Sequence, residues 1–167
     1  WIPNPIQDFL IKNSKKRIKI KKNNYWNLVS VGRLSKQKNH ELIINSVCNI
    51  IKKHRIKNIR LNIIGEGELK IKLLSLIKNL KLNKYVKIIK SQNPHSFLKK
   101  SDIFISSSLY EGLPNNLLEA LCYKKVIISS ACKTGPKEIL LNGKFGFLIN
   151  PNNQFILEKS ILKAIKN

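Results

Sequence analysis

Asp102-Ile103-Phe104-Ile105-Ser106-Ser107-Ser108-Leu109-Tyr110-Glu111-Gly112-Leu113-Pro114-Asn115-Asn116-Leu117-Leu118-Glu119 passes from a short apolar strand, through a polar turn, into a helix that Pro114 is placed to start. Two carboxylates, Glu111 and Glu119, stand with seven residues between them across that step. In an open α/β sheet, the ground just past a strand's carboxyl end is where ligands bind. The chain has 32 Lys+Arg against 9 Asp+Glu, so two acids placed here point to a site and not to surface decoration.

Outward from this stretch the same alternation repeats. Asn27-Leu28-Val29-Ser30-Val31-Gly32 is a short apolar strand ended by glycine, and Ile43, Val47, Ile50 and Ile51 then mark one face of a helix with Asn39 as its N-cap. Leu61-Asn62-Ile63-Ile64-Gly65 is a second strand, followed by a helix carrying Leu69, Leu73, Leu76, Ile77 and Leu80. Further strands are expected over 86–89, 103–106, 126–129 and 147–149, with helices over 94–100, 115–122, 136–141 and 153–166. The last helix draws its apolar content from Phe155, Ile156, Ile161, Leu162 and Ile165. Strands separated by helices throughout imply a parallel sheet covered on both faces. The expected fold is therefore a Rossmann-like, doubly wound α/β domain over residues 25–150. A leading loop and basic linker over 1–24 precede it, and a C-terminal helix over 151–167 follows.

Composition narrows the classes. No apolar run approaches the length needed to span a bilayer, and no signal-peptide pattern opens the chain. Methionine is absent, even at position 1, which leads us to expect a piece of a longer protein. Cys48, Cys122 and Cys132 are widely spaced and odd in number, which suits a reducing cytoplasm better than a disulfide framework or zinc site. His40, His54 and His95 form no metal-binding spacing and are expected as helix-surface or cap residues. The formal charge of +23 raises nucleic acid or an anionic membrane as a partner. Lysine, however, is spread from end to end alongside abundant Ile and Asn, and no arginine-rich or aromatic-interleaved motif appears. A general compositional bias, with no nucleic-acid face, explains this better.

There is no Walker-type loop, no complete dinucleotide glycine fingerprint after Gly65-Glu66-Gly67, and no G-x-S-x-G elbow. The only aspartates are Asp8 and Asp102, so no Asp-x-Asp is present to hold a metal–diphosphate pair. Phosphate chemistry here is expected to need no metal and no cofactor, and to use basic side chains and helix N-termini. Gly32-Arg33-Leu34-Ser35-Lys36-Gln37-Lys38-Asn39 offers these. Gly32 permits close approach of a ligand, Arg33 can fork onto two phosphate oxygens, and Lys38 adds a point charge. Lys38 alone is more often a solvated charge; Arg33 is one of four arginines and sits at a strand's carboxyl end. Gly112, Leu113, Pro114 and Asn115 open a helix whose first amides suit a hydroxyl-rich or anionic ligand. Glu119 can accept from a ribose diol and Glu111 can contact a sugar ring. The plainer alternatives are a Glu111–lysine salt bridge and a helix-favouring acid at Glu119. Gly135-Pro136-Lys137-Glu138 is a third candidate cradle, which alone reads as a plain turn.

Together these segments resemble the carboxy-terminal, donor-binding half of the retaining, nucleotide-sugar-dependent glycosyltransferases of the GT-B fold, the group 1 family. Asn4-Pro5-Ile6 looks like the family's lead into this domain, Val31 to Asn39 like its phosphate loop, Ile63 to Gly67 like its second strand and turn, and Glu111 through Glu119 like its E-x7-E motif. The resemblance implies that Arg33 and Lys38 bind the donor diphosphate and stabilise the leaving nucleoside diphosphate. It implies that Glu119 holds the ribose, and that Glu111 with the Gly112–Asn115 segment holds the sugar. Transfer would retain the anomeric configuration by front-face displacement, with Glu111 as covalent nucleophile the less favoured route. Ser129 to Leu140 looks like a variant from bacterial transferases building surface polysaccharides and lipid-linked glycans, a pointer to UDP-sugar over GDP-sugar. A lipid-linked or glycan acceptor would place the enzyme in the cytoplasm, peripherally at the inner membrane face, where its basic surface meets an anionic leaflet.

Two departures stand out. The family's Gly-x-Pro-Val turn after the glutamate helix is replaced by Tyr123-Lys124-Lys125-Val126, which puts that turn in question. The amino-terminal half that supplies the acceptor site is also missing, so the chain is expected to bind donor without turning over. Competing readings are a nucleotide-sugar epimerase, for which only His95 lies near the cleft side, a basic nucleic-acid binder, and a non-catalytic domain whose site has decayed.

Overall fold

The computed structural model describes residues 24–166. The leading loop, the basic linker up to residue 23 and the Asn4-Pro5-Ile6 segment lie outside the described residues. Six strands form one parallel sheet: β1 (Trp26–Val31), β2 (Ile59–Ile64), β3 (Val86–Ile89), β4 (Ile103–Ser106), β5 (Val126–Ser130) and β6 (Phe147–Ile149). Their order is β3-β2-β1-β4-β5-β6, the order of two mononucleotide-binding halves joined back to back. The chain winds outward from β1 in one direction and, starting again at β4, in the other. The switch point therefore lies between β1 and β4, which pair through Leu28 with Ile103 and Val29 with Phe104.

Among the described residues five helices connect the strands, α1 (His40–Lys53), α2 (Lys70–Asn79), α3 (His95–Lys100), α4 (Asn115–Cys122) and α5 (Pro136–Ile139), and a sixth, α6 (Gln154–Lys166), follows the last strand. Strand side chains alternate between two cores, as the period of two requires. Leu28, Leu61, Ile63, Ile103, Ile105 and Ile128 face α1, α2 and α6. Val29, Phe104 and Ile127 face the other side, against Leu98 of α3 and Leu117 and Ala120 of α4. Each face is thus dry, which is why the strands read as continuous apolar runs.

Two expectations are corrected by packing. Phe155 is exposed, and Leu157 and Ala164 are buried with the expected Ile161, while Ile156, Leu162 and Ile165 pack against the same core as expected. Glu158 is buried beside them, and its Oε1 accepts from Asn49 Nδ2 at 2.7 Å and Gln154 Nε2 at 2.8 Å. A carboxylate so satisfied can sit in the α1–α6 interface without being orphaned. His40 is not a surface residue: it begins α1 but is only 3% exposed. Asn39 precedes it in a left-handed conformation (φ 48°) and makes no side-chain cap to the helix.

The questioned turn after α4 closes without glycine or proline. Lys124 takes the left-handed conformation (φ 55°), its N–H donates to the Leu121 carbonyl (2.8 Å), and Lys125 N–H donates to the Ala120 carbonyl (3.1 Å). This is a Schellman motif with a lysine where glycine is favoured. Among the described residues, no helix is long and apolar enough to cross a membrane.

Candidate functional site

The loops that leave β1 and β4 both emerge at the switch point, and local sequence fixes their shapes. After β1, Gly32 leads into a 3-10 turn at Lys36–Lys38 before α1. A Cβ on Gly32 would lie 3.2 Å from Lys38 Cδ and Cε, so the lysine stem is folded back over bare backbone. After β4, Ser107 to Pro114 forms a polar turn, and Pro114 in extended geometry starts α4.

Non-local hydrogen bonds zip the two loops together. Leu109 N–H donates to the Gln37 carbonyl at 2.8 Å, and Gln37 Nε2 donates to the Tyr110 carbonyl at 2.9 Å. Ser107 Oγ lies 2.8 Å from the carbonyl oxygens of both Lys38 and Asn39, sharing its one proton between them. Lys38 Nζ then donates to Glu111 Oε1 at 2.5 Å, and Ser108 Oγ donates to the same oxygen at 2.6 Å. The Glu111 side chain is only 7% exposed and that of Lys38 18%. The salt bridge weighed as the plain alternative is therefore present, and it is also what joins the two candidate loops. Glu111 Oε2 is left to accept from another partner.

A third loop closes on the same place. Gly135 is buried with φ 81°, and a Cβ there would stand 1.8 Å from the Gly112 carbonyl oxygen. Thr134 Oγ1 donates to the Glu111 carbonyl at 2.6 Å. The Gly135-Pro136 segment is thus a spacer that presses the Glu111–Gly112 backbone into position, more than a plain turn. Asn116 fastens α4 to β1, its Nδ2 donating to the Val31 carbonyl at 2.5 Å.

Of the expected site residues, Gly32, Lys38, Glu111, Gly112, Leu113, Pro114 and Asn115 come together around these loops. Pro114 is buried and, lacking an N–H, contributes no amide to a ligand. Arg33 is exposed on the β1 loop and pairs with no carboxylate among the described residues. Glu119 lies farther along α4, half-buried, with burial pushing its carboxyl above the usual range and His95 pulling it back. His95 Nδ1 of α3 stands 3.9 Å from Glu119 Oε2. Beneath the β1 loop, burial lowers the His40 imidazole to about 4, against backbone groups of Arg33 and Gly32 that favour its proton. Its Nδ1 is 3.3 Å from Ser30 Oγ.

Gln37, Ser107, Ser108, Asn116 and Thr134 were not singled out from sequence. Each acts through a backbone carbonyl or a partner some 70 positions away, or within its own turn, and no spacing pattern announces that. The run of serines after β4 was the one visible hint.

A Rossmann-like domain whose polar side chains gather at its switch point is built to take a ligand there. The sequence profile described as glycosyl transferases group 1 matches residues 11–167, and the chain belongs to that family. It is similar to an uncharacterised glycosyltransferase of Methanocaldococcus jannaschii, 43% identical over 143 residues, covering 77% of this chain and 35% of the relative. It also resembles the N-acetylgalactosamine-N,N'-diacetylbacillosaminyl-diphospho-undecaprenol 4-alpha-N-acetylgalactosaminyltransferase of Campylobacter jejuni, 35% identical over 141 residues, covering 83% of this chain and 36% of that protein. A crystal structure of an S. aureus TarM mutant in complex with fondaparinux, alpha-GlcNAc-glycerol and UDP matches with TM-score 0.80 at 25% identity, covering 87% of this chain and 29% of that one. The chain thus spans about a third of the length of these curated relatives.

Proposed function

We propose that this chain is the donor-binding half of a retaining glycosyltransferase that moves a sugar from a nucleotide-sugar, UDP-sugar favoured, to a glycan or lipid-linked acceptor. The observation that carries the reading is the Lys38–Glu111–Ser108 junction, which draws the β1 and β4 loops into one site at the switch point. Arg33, exposed and without a carboxylate partner among the described residues, is available to fork onto a diphosphate. Lys38 adds charge from inside the site, so departure of the nucleoside diphosphate is stabilised where negative charge develops. Glu111, held on one oxygen by Lys38 and Ser108, offers the other to a sugar hydroxyl. Glu119 takes the ribose diol.

The UDP preference is supported by the UDP in the TarM complex, and a lipid-linked acceptor by the diphospho-undecaprenol in the Campylobacter relative's name. Such an acceptor places the reaction at the cytoplasmic membrane face. There the +23 charge would add peripheral attraction to an anionic leaflet. The acceptor side belongs to sequence beyond this domain, so the chain by itself binds donor and does not transfer.

Calorimetric titration with UDP and GDP in EDTA, beside Arg33→Ala and Glu119→Ala, tests this. Metal-free binding that prefers UDP and weakens roughly tenfold or more in each variant is expected, the loss of a charge-assisted hydrogen bond. Binding indifferent to both substitutions, or transfer by the isolated chain, would overturn the reading.

A further inference from the structure

We propose that His95 is a positioning residue for Glu119, its imidazole orienting the carboxylate that takes the donor's ribose. The inference rests on that reading of Glu119. His95 opens α3, and the chain ahead of it is fixed by its own turn. Asn93 N–H donates to Ser91 Oγ at 3.1 Å, and Ser96 Oγ donates to the Asn93 carbonyl at 3.2 Å. α3 packs on α4, which brings His95 Nδ1 to 3.9 Å from Glu119 Oε2, an ion-pair distance. The imidazole also lies tilted on Tyr123, with ring centroids 6.2 Å apart, so its plane is held from the α4 side. The two side chains are 26% and 22% exposed, enough for a ligand to reach and too little for water to screen the pair fully.

The chemistry follows from the carboxylate's two oxygens. A vicinal diol donates two hydrogen bonds and is best received by an ionised, oriented carboxylate. Half-burial favours the neutral acid at Glu119, and the one charge that opposes this is His95. Two neighbouring titratable groups stay neutral beside it and so leave its charge unopposed. Cys122 and Tyr123, on α4 itself, are both pushed up by Glu119 as well as by burial. Of the elements packed against α4, β4 and β5 carry no ionisable side chain, and α5 carries Lys137 and Glu138, both exposed. α3 carries, besides His95, the exposed Lys99 and Lys100 at its far end. His95 is thus the group placed to keep Glu119 charged and aimed.

The test is UDP affinity between pH 5 and 8 for the native chain, His95→Phe, His95→Gln and Glu119→Gln. The carboxyl carbon of Glu119 is followed by NMR in the unliganded native and His95 variants. His95→Phe keeps a ring against Tyr123 but loses Nδ1. It should weaken UDP roughly three- to tenfold at neutral pH and move the acid limb of binding to higher pH, as the Glu119 titration itself moves. His95→Gln restores a donor without a charge, so it should regain affinity near pH 8 while its acid limb stays displaced. If His95→Phe keeps the native affinity and pH profile while Glu119→Gln is weakened, the His95 assignment is overturned alone. Native-like binding by Glu119→Gln overturns the ribose reading and this inference together.

Discussion

At the scale of single residues, His40 shows how a buried polar side chain links the site to stability. The imidazole is neutral in the folded protein because burial lowers its proton affinity from an ordinary 6.5 to about 4. The unfolded chain binds that proton more readily, so the stability His40 contributes is complete above pH 6.5 and falls as pH drops toward 4. Between pH 7.5 and 5 the loss should be about 2 kcal/mol. Urea unfolding at the two pH values checks it: the native chain should lose this increment and His40→Gln, which does not titrate, should not. An equal loss in both would mean that carboxylates elsewhere carry the acid sensitivity. The sequence leads one to expect His40 as a surface or cap residue, because no metal-binding spacing surrounds it. The loop folding over it is not visible there.

At the scale of elements, nearly every strand and helix was legible, because apolar periodicity is a local property. The strands needed only short Val/Ile/Leu runs, and the α2 face was readable from Leu69, Leu73, Leu76, Ile77 and Leu80, all of which pack into one core. On α6 the exception is Phe155, which is exposed while Leu157 takes the buried place, a choice that the neighbouring α1 decides; Ile156, Ile161, Leu162 and Ile165 all pack in or against the core. The turn after α4 was questioned because its sequence lacks a left-handed specialist, yet it forms with Lys124 carrying the strain. Lys124→Gly should therefore stabilise the chain by about 0.5–1 kcal/mol, since glycine removes the left-handed penalty while keeping both Schellman hydrogen bonds. Thermal unfolding reads this directly, and a destabilised variant would show that glycine's freedom in the unfolded chain outweighs the relief. The candidate site divides in the same way. Glu111, Glu119, Arg33 and the Pro114 start were visible as motif. The Gln37, Ser107 and Thr134 fastenings bind backbone across a distance that sequence does not record.

At the scale of the whole molecule, charge is the dominant feature: +23 over 167 residues, with 32 basic groups facing 9 acids. Among the described residues few of these charges are paired. Lys72–Glu41 and Lys90–Glu66 are exposed pairs, worth little each, and Lys38–Glu111 is committed to the site. Packing lysines onto one compact body costs repulsion that the expanded unfolded chain largely avoids. Salt acts on the two terms unequally. Raising ionic strength from about 0.01 M to 0.15 M shortens the screening length from about 30 Å to about 8 Å, so repulsion across the molecule collapses while the sheltered Lys38–Glu111 contact loses little. The melting temperature should therefore rise with salt, by roughly 2–6 °C if about 1–2 kcal/mol of repulsion is relieved. A thermal melt series in sodium chloride, matched against an uncharged solute at equal osmolality, separates screening from solvent exclusion. Melting that falls with salt would mean that attractive pairs, and not net repulsion, govern this surface.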